Sequence, residues 1–222
     1  MNTKINRILF DYDGTLVIHD AENEAIRVAT MLGLDEEQIP EFKRRLNLFF
    51  TNYFTATNRK MTYDLYLRNV RRVIFPEKFG TTAELFDAAI TENSKLTTTL
   101  ASNAKDTLEY LADKGYQLCL FTNGFYTGQV ESMKHKGIYD YFEKIYAWDN
   151  FYAKPDKRAF LRALAGTEPE HNVMIGDSLR ADIEPAKSLG IYTVGINMPD
   201  TTECYIQPDY VINNLAELRS VL

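Results

Sequence analysis

A chain of 222 residues, 45% hydrophobic and 25% charged, has the composition of a water-soluble globular protein and the length of one sizeable domain or of a domain carrying an insertion. Its formal net charge of −6 argues against a general binder of nucleic-acid polymers. No apolar run approaches the roughly 18 residues of a membrane span and no secretory signal pattern opens the sequence, so a cytoplasmic protein without a membrane partner is expected.

The first element is "RILFDYDGTLV", residues 7–17, an apolar strand that runs straight into Asp11 and Asp13. An Asp-Gly turn at a strand end is favoured for backbone reasons alone. Two carboxylates at the end of a buried strand are costly, however, unless a cation or hydrogen bonds compensate them.

Residues 16 to about 100 show no strand rhythm. Apolar residues recur at helical spacing in "AIRVATMLGL", "FKRRLNLFFTNYF", "YDLYLRNVRRVIF" and "AELFDAAI", and Thr62 is placed to cap the third of these. An all-helical block therefore interrupts an α/β domain just after its first strand. Residues 41–80 hold nine basic residues (Lys43, Arg44, Arg45, Arg59, Lys60, Arg68, Arg71, Arg72, Lys78) against Glu41, Asp64 and Glu77, a local charge of +6 in an otherwise acidic chain. Such a segment suits an anionic ligand, although solvated helix faces account for most of these residues individually. The same stretch carries nine aromatics, Phe42, Phe49, Phe50, Tyr53, Phe54, Tyr63, Tyr66, Phe75 and Phe79, most of which must pack a helical core.

The helix "SNAKDTLEYLADKG" leads back to short apolar runs, "QLCLFTN", "KIYAW", "NVMIGD", "YTVGIN" and "YVI". Helical stretches such as "KPDKRAFLRALAG" and "LRADIEPAKSLG" separate most of them, and Gly115, Gly137, Gly166 and Gly190 stand where helices should stop. Apolar strands alternating with helices predict a Rossmann-like, doubly wound parallel sheet covered on both faces. The expected division is a core of residues 1–15 and 101–222 with a helical cap of residues 16–100. Cys119 and Cys204 lack zinc-site spacing and are expected to be reduced.

Ligands bind outside the carboxyl ends of the strands in such a sheet. Those ends bring Asp11 and Asp13, then Thr122, Asn123 and Gly124, then Gly176, Asp177, Ser178 and Asp182. Lys154, in "YAKPDKRAF", precedes a proline where a helix is expected to start. Clustered carboxylates suit Mg²⁺, and the metal with Lys154 can hold a phosphate beside a carboxylate nucleophile. Thr122 and nearby backbone amides can donate to phosphoryl oxygens, Asp13 can act as acid and base, and Asp11 can attack phosphorus.

"DYDGTL", "LFTNG", "KPD" and "GDSLRADIEPAKSLG" resemble, in order, the four motifs of the haloacid dehalogenase superfamily, and the early helical insertion resembles the cap of one of its subgroups. The resemblance implies a nucleophile in Asp11 and a general acid/base in Asp13. It implies Mg²⁺ on the Asp11 carboxylate, the Asp13 carbonyl and Asp177. Phosphate would be held by Thr122, Asn123, Gly124 and Lys154, with Asp182 supporting the metal or the lysine from behind.

Dehalogenating members lack an aspartate two residues after the nucleophile, so Asp13 favours a phosphatase acting through an aspartyl-phosphate on a small phosphorylated metabolite. The aromatic, basic cap and a diffuse similarity to bacterial pyrimidine 5′-nucleotidases suggest a nucleoside 5′-monophosphate. Sugar-phosphate or phosphoglycolate phosphatase, phosphomutase, and an idle binding module of the same fold are the alternatives. A cap lysine forming a Schiff base, Lys43 or Lys60, is disfavoured because no neighbour desolvates either. His19, His135, His171 and Arg180 are expected at the surface, and a monomer or homodimer is expected.

Overall fold

The structure is a computed structural model that describes residues 5–56, 62–96, 98–149, 152–198 and 205–222. The chain divides into two compact units, residues Met1–Ile18 with Thr99–Leu222, and residues His19–Thr98.

In chain order the elements are β1 (Arg7–Phe10), β2 (Val17–His19), α1 (Ala21–Met31), α2 (Ile39–Ala56), α3 (Tyr63–Ile74), α4 (Ala83–Leu96) and β3 (Thr98–Leu100). They continue with α5 (Ala104–Asp113), β4 (Gln117–Phe121), α6 (Tyr126–His135), β5 (Lys144–Tyr146), α7 (Lys157–Ala163), β6 (Asn172–Gly176), α8 (Glu184–Lys187), β7 (Tyr192–Ile196), β8 (Tyr210–Ile212) and α9 (Leu218–Val221). Six strands form one sheet in the order β5-β4-β1-β6-β7-β8. Every pairing in it is parallel.

The apolar runs lack polar alternation because both sheet faces are covered. Ile8 and Phe10 of β1, Leu118 and Leu120 of β4, and Val173 and Ile175 of β6 pack with Leu108 and Leu111 of α5 and Met133 of α6. The alternate residues Leu9, Cys119, Phe121 and Met174 pack instead with Ala159, Phe160 and Ala163 of α7 and Ala186 of α8. Each fully buried aliphatic or aromatic side chain contributes roughly 1.5–3 kcal/mol of transfer free energy. Gly115, Gly137, Gly166 and Gly190 all follow helices with left-handed backbone.

The chain runs outward from β1 through β4 to β5, then returns to β6 on the other side of β1 and continues to β8. The reversal opens a crevice at the carboxyl ends of β1 and β6. Register brings those ends level, with Phe10 beside both Leu120 and Ile175.

The helical unit forms its own aromatic core. Phe42 meets Phe79 and Phe86 edge-on at ring separations of 5.3 and 6.4 Å, and Phe49 meets Tyr66 at 5.7 Å. Thr62 caps α3 by accepting the Leu65 N–H. Glu41 takes both Arg44 and Arg45, whose hydrogen bonds pull its carboxyl down to about 2, and Arg71 pairs with Asp87. Arg45 and Lys78 stand over the Phe75 ring at 5.6 and 5.4 Å. Much of the local basic charge is thus engaged within the unit. Arg59, Lys60 and the side chains of Phe50, Tyr53 and Phe54 lie outside the described residues, as does Cys204.

The stretch 16–100, expected to lack strands, begins and ends with them. β2 and β3 pair as a two-stranded ribbon where the chain leaves and re-enters the α/β unit. Three residues apiece are too few for a period of two to register in the sequence. Among the described residues no helix is long and apolar enough to cross a membrane.

Candidate active site

Asp11 is the first residue past β1, and its N–H bonds the Ile175 carbonyl of β6 at 2.9 Å. The chain then turns tightly, with the Leu16 and Val17 N–H groups both returning to the Tyr12 carbonyl. Gly14 sits in this turn at φ 82°, and a β-carbon on it would stand 2.2 Å from an Asp177 oxygen. Only glycine lets the turn after β1 approach the carboxylate after β6 so closely.

Lys154 comes from the segment after β5. The helix that follows starts at Lys157 with Asp156 as its cap, so Pro155 lies ahead of the helix rather than at its first position. Asp156 accepts from the Arg158 N–H, and this carboxylate cap outweighs the proline signal. Lys154 is 4% exposed, and its Nζ donates to Asp11 Oδ1 at 2.7 Å and Asp182 Oδ1 at 2.5 Å. Burial alone would depress this ammonium, but Asp11 and Asp182 hold it above the ordinary lysine value. Two of its three N–H donors are engaged, which leaves one for a ligand oxygen.

Asp182, buried in the π-turn after β6, also accepts the Ser178 N–H at 3.1 Å. Both of its oxygens are therefore occupied in orienting Lys154 and this turn. Asp177 has a carboxyl pushed up to about 6 by burial and by the Asp11 charge. Asp13 lies in the turn after β1 with its residue surface exposed, yet the protein around it still costs its carboxylate hydration. That desolvation, followed by the Asp11 charge, raises it to about 6.

Thr122, 2% exposed, follows β4 and accepts the Gly124 N–H at 2.9 Å and Gln129 Nε2 at 3.4 Å. With both lone pairs facing donors, its hydroxyl proton is directed toward an outside acceptor. The Asn123 amide exchanges hydrogen bonds with the Lys154 backbone, and the Gly124 N–H is given to Thr122. Of the four residues expected to grip phosphate, Thr122 and Lys154 keep side-chain donors for a ligand, and the Asn123 side chain braces the Lys154 backbone.

Asp11, Asp177 and Asp182 offer oxygens within 4.8 Å of one another. With Asp13 added, four carboxylates outnumber the ammonium groups acting on them among the described residues, Lys154 on Asp11 and Asp182 and Lys136 on Asp13, so the fully ionised cluster carries excess negative charge. An all-oxygen donor set of this charge fits a hard divalent cation such as Mg²⁺.

His19 and His135 are exposed and His171 is half-buried. His19 stands 3.6 Å from Glu24. Arg180 is exposed, Lys43 is partly exposed, and Cys119 is a buried free thiol pushed up to about 11 by burial. Sequence reading missed Gln129, which donates to Asp13 Oδ2 at 3.1 Å. A neutral residue in mid-helix carries no signal of such a contact.

The sequence model described as "Haloacid dehalogenase-like hydrolase" matches residues 8–196. The chain is 27% identical to pyrimidine 5′-nucleotidase PynA of Streptococcus pneumoniae, over 97% of its own length and 94% of the relative's. It is 28% identical to a phosphoglycolate phosphatase of Haemophilus influenzae, with 100% of both chains covered. Among solved structures, the HAD-hydrolase YfnB of Bacillus subtilis, bound to magnesium, superposes with a TM-score of 0.72 at 23% identity over 99% of both chains.

Proposed function

The chain belongs to the haloacid dehalogenase-like hydrolase family, and from that premise we propose that it is a Mg²⁺-dependent phosphatase that hydrolyses small phosphate monoesters through an aspartyl-phosphate on Asp11. The observation that carries this reading is the contact of Asp11 with the buried Lys154 ammonium, in a site that also holds Asp13 and Thr122. Both similar enzymes named above hydrolyse phosphate esters, which supports it.

In the first step an Asp11 carboxylate oxygen attacks phosphorus and the bond to the ester oxygen breaks. Asp13, protonated, gives its proton to the departing oxygen. In the second step Asp13, now ionised, takes a proton from water as the water attacks phosphorus. The bond to Asp11 breaks and inorganic phosphate leaves. Lys154 and the Thr122 hydroxyl hold the phosphoryl oxygens through both steps, where fixed donors stabilise the charge that develops. Mg²⁺, held by Asp11, Asp177 and the Asp13 carbonyl, would offset repulsion between a dianionic phosphate and these carboxylates.

The first substrate class to test is the nucleoside 5′-monophosphates, supported by the likeness to PynA over nearly the whole chain. A second reading, a small phosphorylated acid, is favoured by the packing of Phe42, Phe49, Tyr66 and Phe79 within the helical core, where none is offered to a base. Phosphate release with Mg²⁺ from nucleoside monophosphates, phosphoglycolate and hexose phosphates, ranked by kcat/KM, tests both. Absence of turnover on every ester would sink the phosphatase reading.

A further inference from the structure

Gln129 lies on α6 and is 8% exposed. Its Nε2 faces two acceptors, Asp13 Oδ2 at 3.1 Å and Thr122 Oγ1 at 3.4 Å. A carboxylate and an acceptor lone pair both demand N–H, so the amide's two hydrogens divide between them. One side chain therefore ties the proton-transfer group to the hydroxyl that points at phosphate.

Gly124 makes room for it. A β-carbon on Gly124 would stand 1.9 Å from Gln129 Nε2 and 2.7 Å from its Cδ. The atoms in the way are the mobile end of a side chain, so an added methyl would displace the amide rather than the backbone. Gly124 has ordinary backbone geometry, outside the left-handed region. Its lack of a side chain therefore serves this close approach and no unusual turn.

We propose that Gln129 is a positioning residue that aims the Asp13 carboxyl at the leaving-group oxygen, and that Gly124 is glycine to admit the Gln129 amide. The inference rests on the reading of Asp13 as general acid. Aim matters most when the departing oxygen needs a proton, because a poor leaving group cannot depart as an anion. An aryloxide of low basicity leaves without help.

The test is kcat/KM across a leaving-group series, p-nitrophenyl phosphate, phenyl phosphate and ethyl phosphate, since kcat/KM reports the first, leaving-group-expelling step. Gln129→Met keeps the volume and removes the donors. It should cost roughly tenfold to a hundredfold on ethyl phosphate, a part of what general acid catalysis supplies. On p-nitrophenyl phosphate the loss should stay within about threefold, so the plot against leaving-group basicity steepens. Gly124→Ala should reproduce that steepening and should add less than about twofold in a Gln129→Ala background, as expected for two changes acting through one contact. Asp13→Asn in the same series separates the two readings. If it steepens the plot while Gln129→Met shifts all esters equally or none, the Gln129 assignment falls alone. If Asp13→Asn does not steepen it, the acid role of Asp13 falls and this inference with it. A full extra loss from Gly124→Ala in the Gln129→Ala background would mean that Gly124 acts on phosphate directly and would overturn the proposal.

Discussion

The side-chain amide of Asn123 and the backbone of Lys154, 31 residues apart, exchange two hydrogen bonds of 2.9 and 2.8 Å. The pair locks the end of β4 to the segment that follows β5. It fixes the peptide from which the buried ammonium reaches Asp11 and Asp182. Asn123 in this way governs a charge it does not touch.

Replacing Asn123 by alanine should therefore loosen Lys154. Leaving a part-buried N–H and C=O without partners costs roughly 1–3 kcal/mol. The expected outcome is a lower melting temperature together with a rise in KM for phosphate esters. Unchanged KM and kcat in a folded variant would deny the coupling.

Asp11→Asn should abolish turnover, with a loss on the order of 10⁴-fold or more, as for other removed nucleophiles. The amide is nearly isosteric but cannot form the acyl phosphate, so far-UV circular dichroism should be unchanged. Fluoroberyllate should inhibit the wild type, as a mimic of the phosphoryl group on Asp11, and fail to bind the variant. Full activity in a homogeneous sample would rule out covalent catalysis by this residue.

Chelation by EDTA should remove activity, and Mg²⁺ should restore it. The metal-free protein should also show a characteristic pH dependence. The carboxyls of Asp177 and Asp13 are raised in the folded state to about 6, so the folded state holds their protons more tightly than the unfolded one. Their stabilising contribution is complete below the unfolded value of 3.8 and is lost as pH rises through about 6. Calorimetry without metal should show this contribution lost between about pH 4 and pH 6, and Mg²⁺ should recover most of it. A metal-free melting temperature that rises over that window and is indifferent to Mg²⁺ would contradict the assignment.

Tyr63 stacks on Tyr66 at 5.7 Å and shares a hydrogen bond with Thr91. Tyr63→Ala should consequently lower stability, by about 1–3 kcal/mol for lost packing and an orphaned partner. The ratio of kcat/KM between a nucleoside monophosphate and phosphoglycolate should stay within about twofold, since stacking on a base would carry roughly 1–3 kcal/mol and shift it tenfold or more. A selective loss on the nucleotide would restore the base-stacking role for the helical unit.

Local chemistry singled out Asp11, Asp13, Thr122 and Asp177 in the sequence as candidate site residues. Each stands where a continuous apolar run meets turn-forming residues, and both signals lie within a few neighbours along the chain. The same apolar runs, separated by helices, determined the parallel sheet. The sequence could not say that Gln129 reaches Asp13 across 116 residues, or that the Asn123 amide bonds the Lys154 backbone. Those contacts depend on which elements the sheet order brings side by side, and a side-chain amide looks the same in sequence whatever it faces. The aromatics of residues 41–80 teach the same lesson. Their number is a property of composition, but the turning of Phe42, Phe49 and Tyr66 into a helical core is decided by packing, because burying those rings gains more than leaving them exposed. The sequence thus determined the fold class and singled out the candidate reactive groups, and only tertiary structure decided which neutral side chains stand against them.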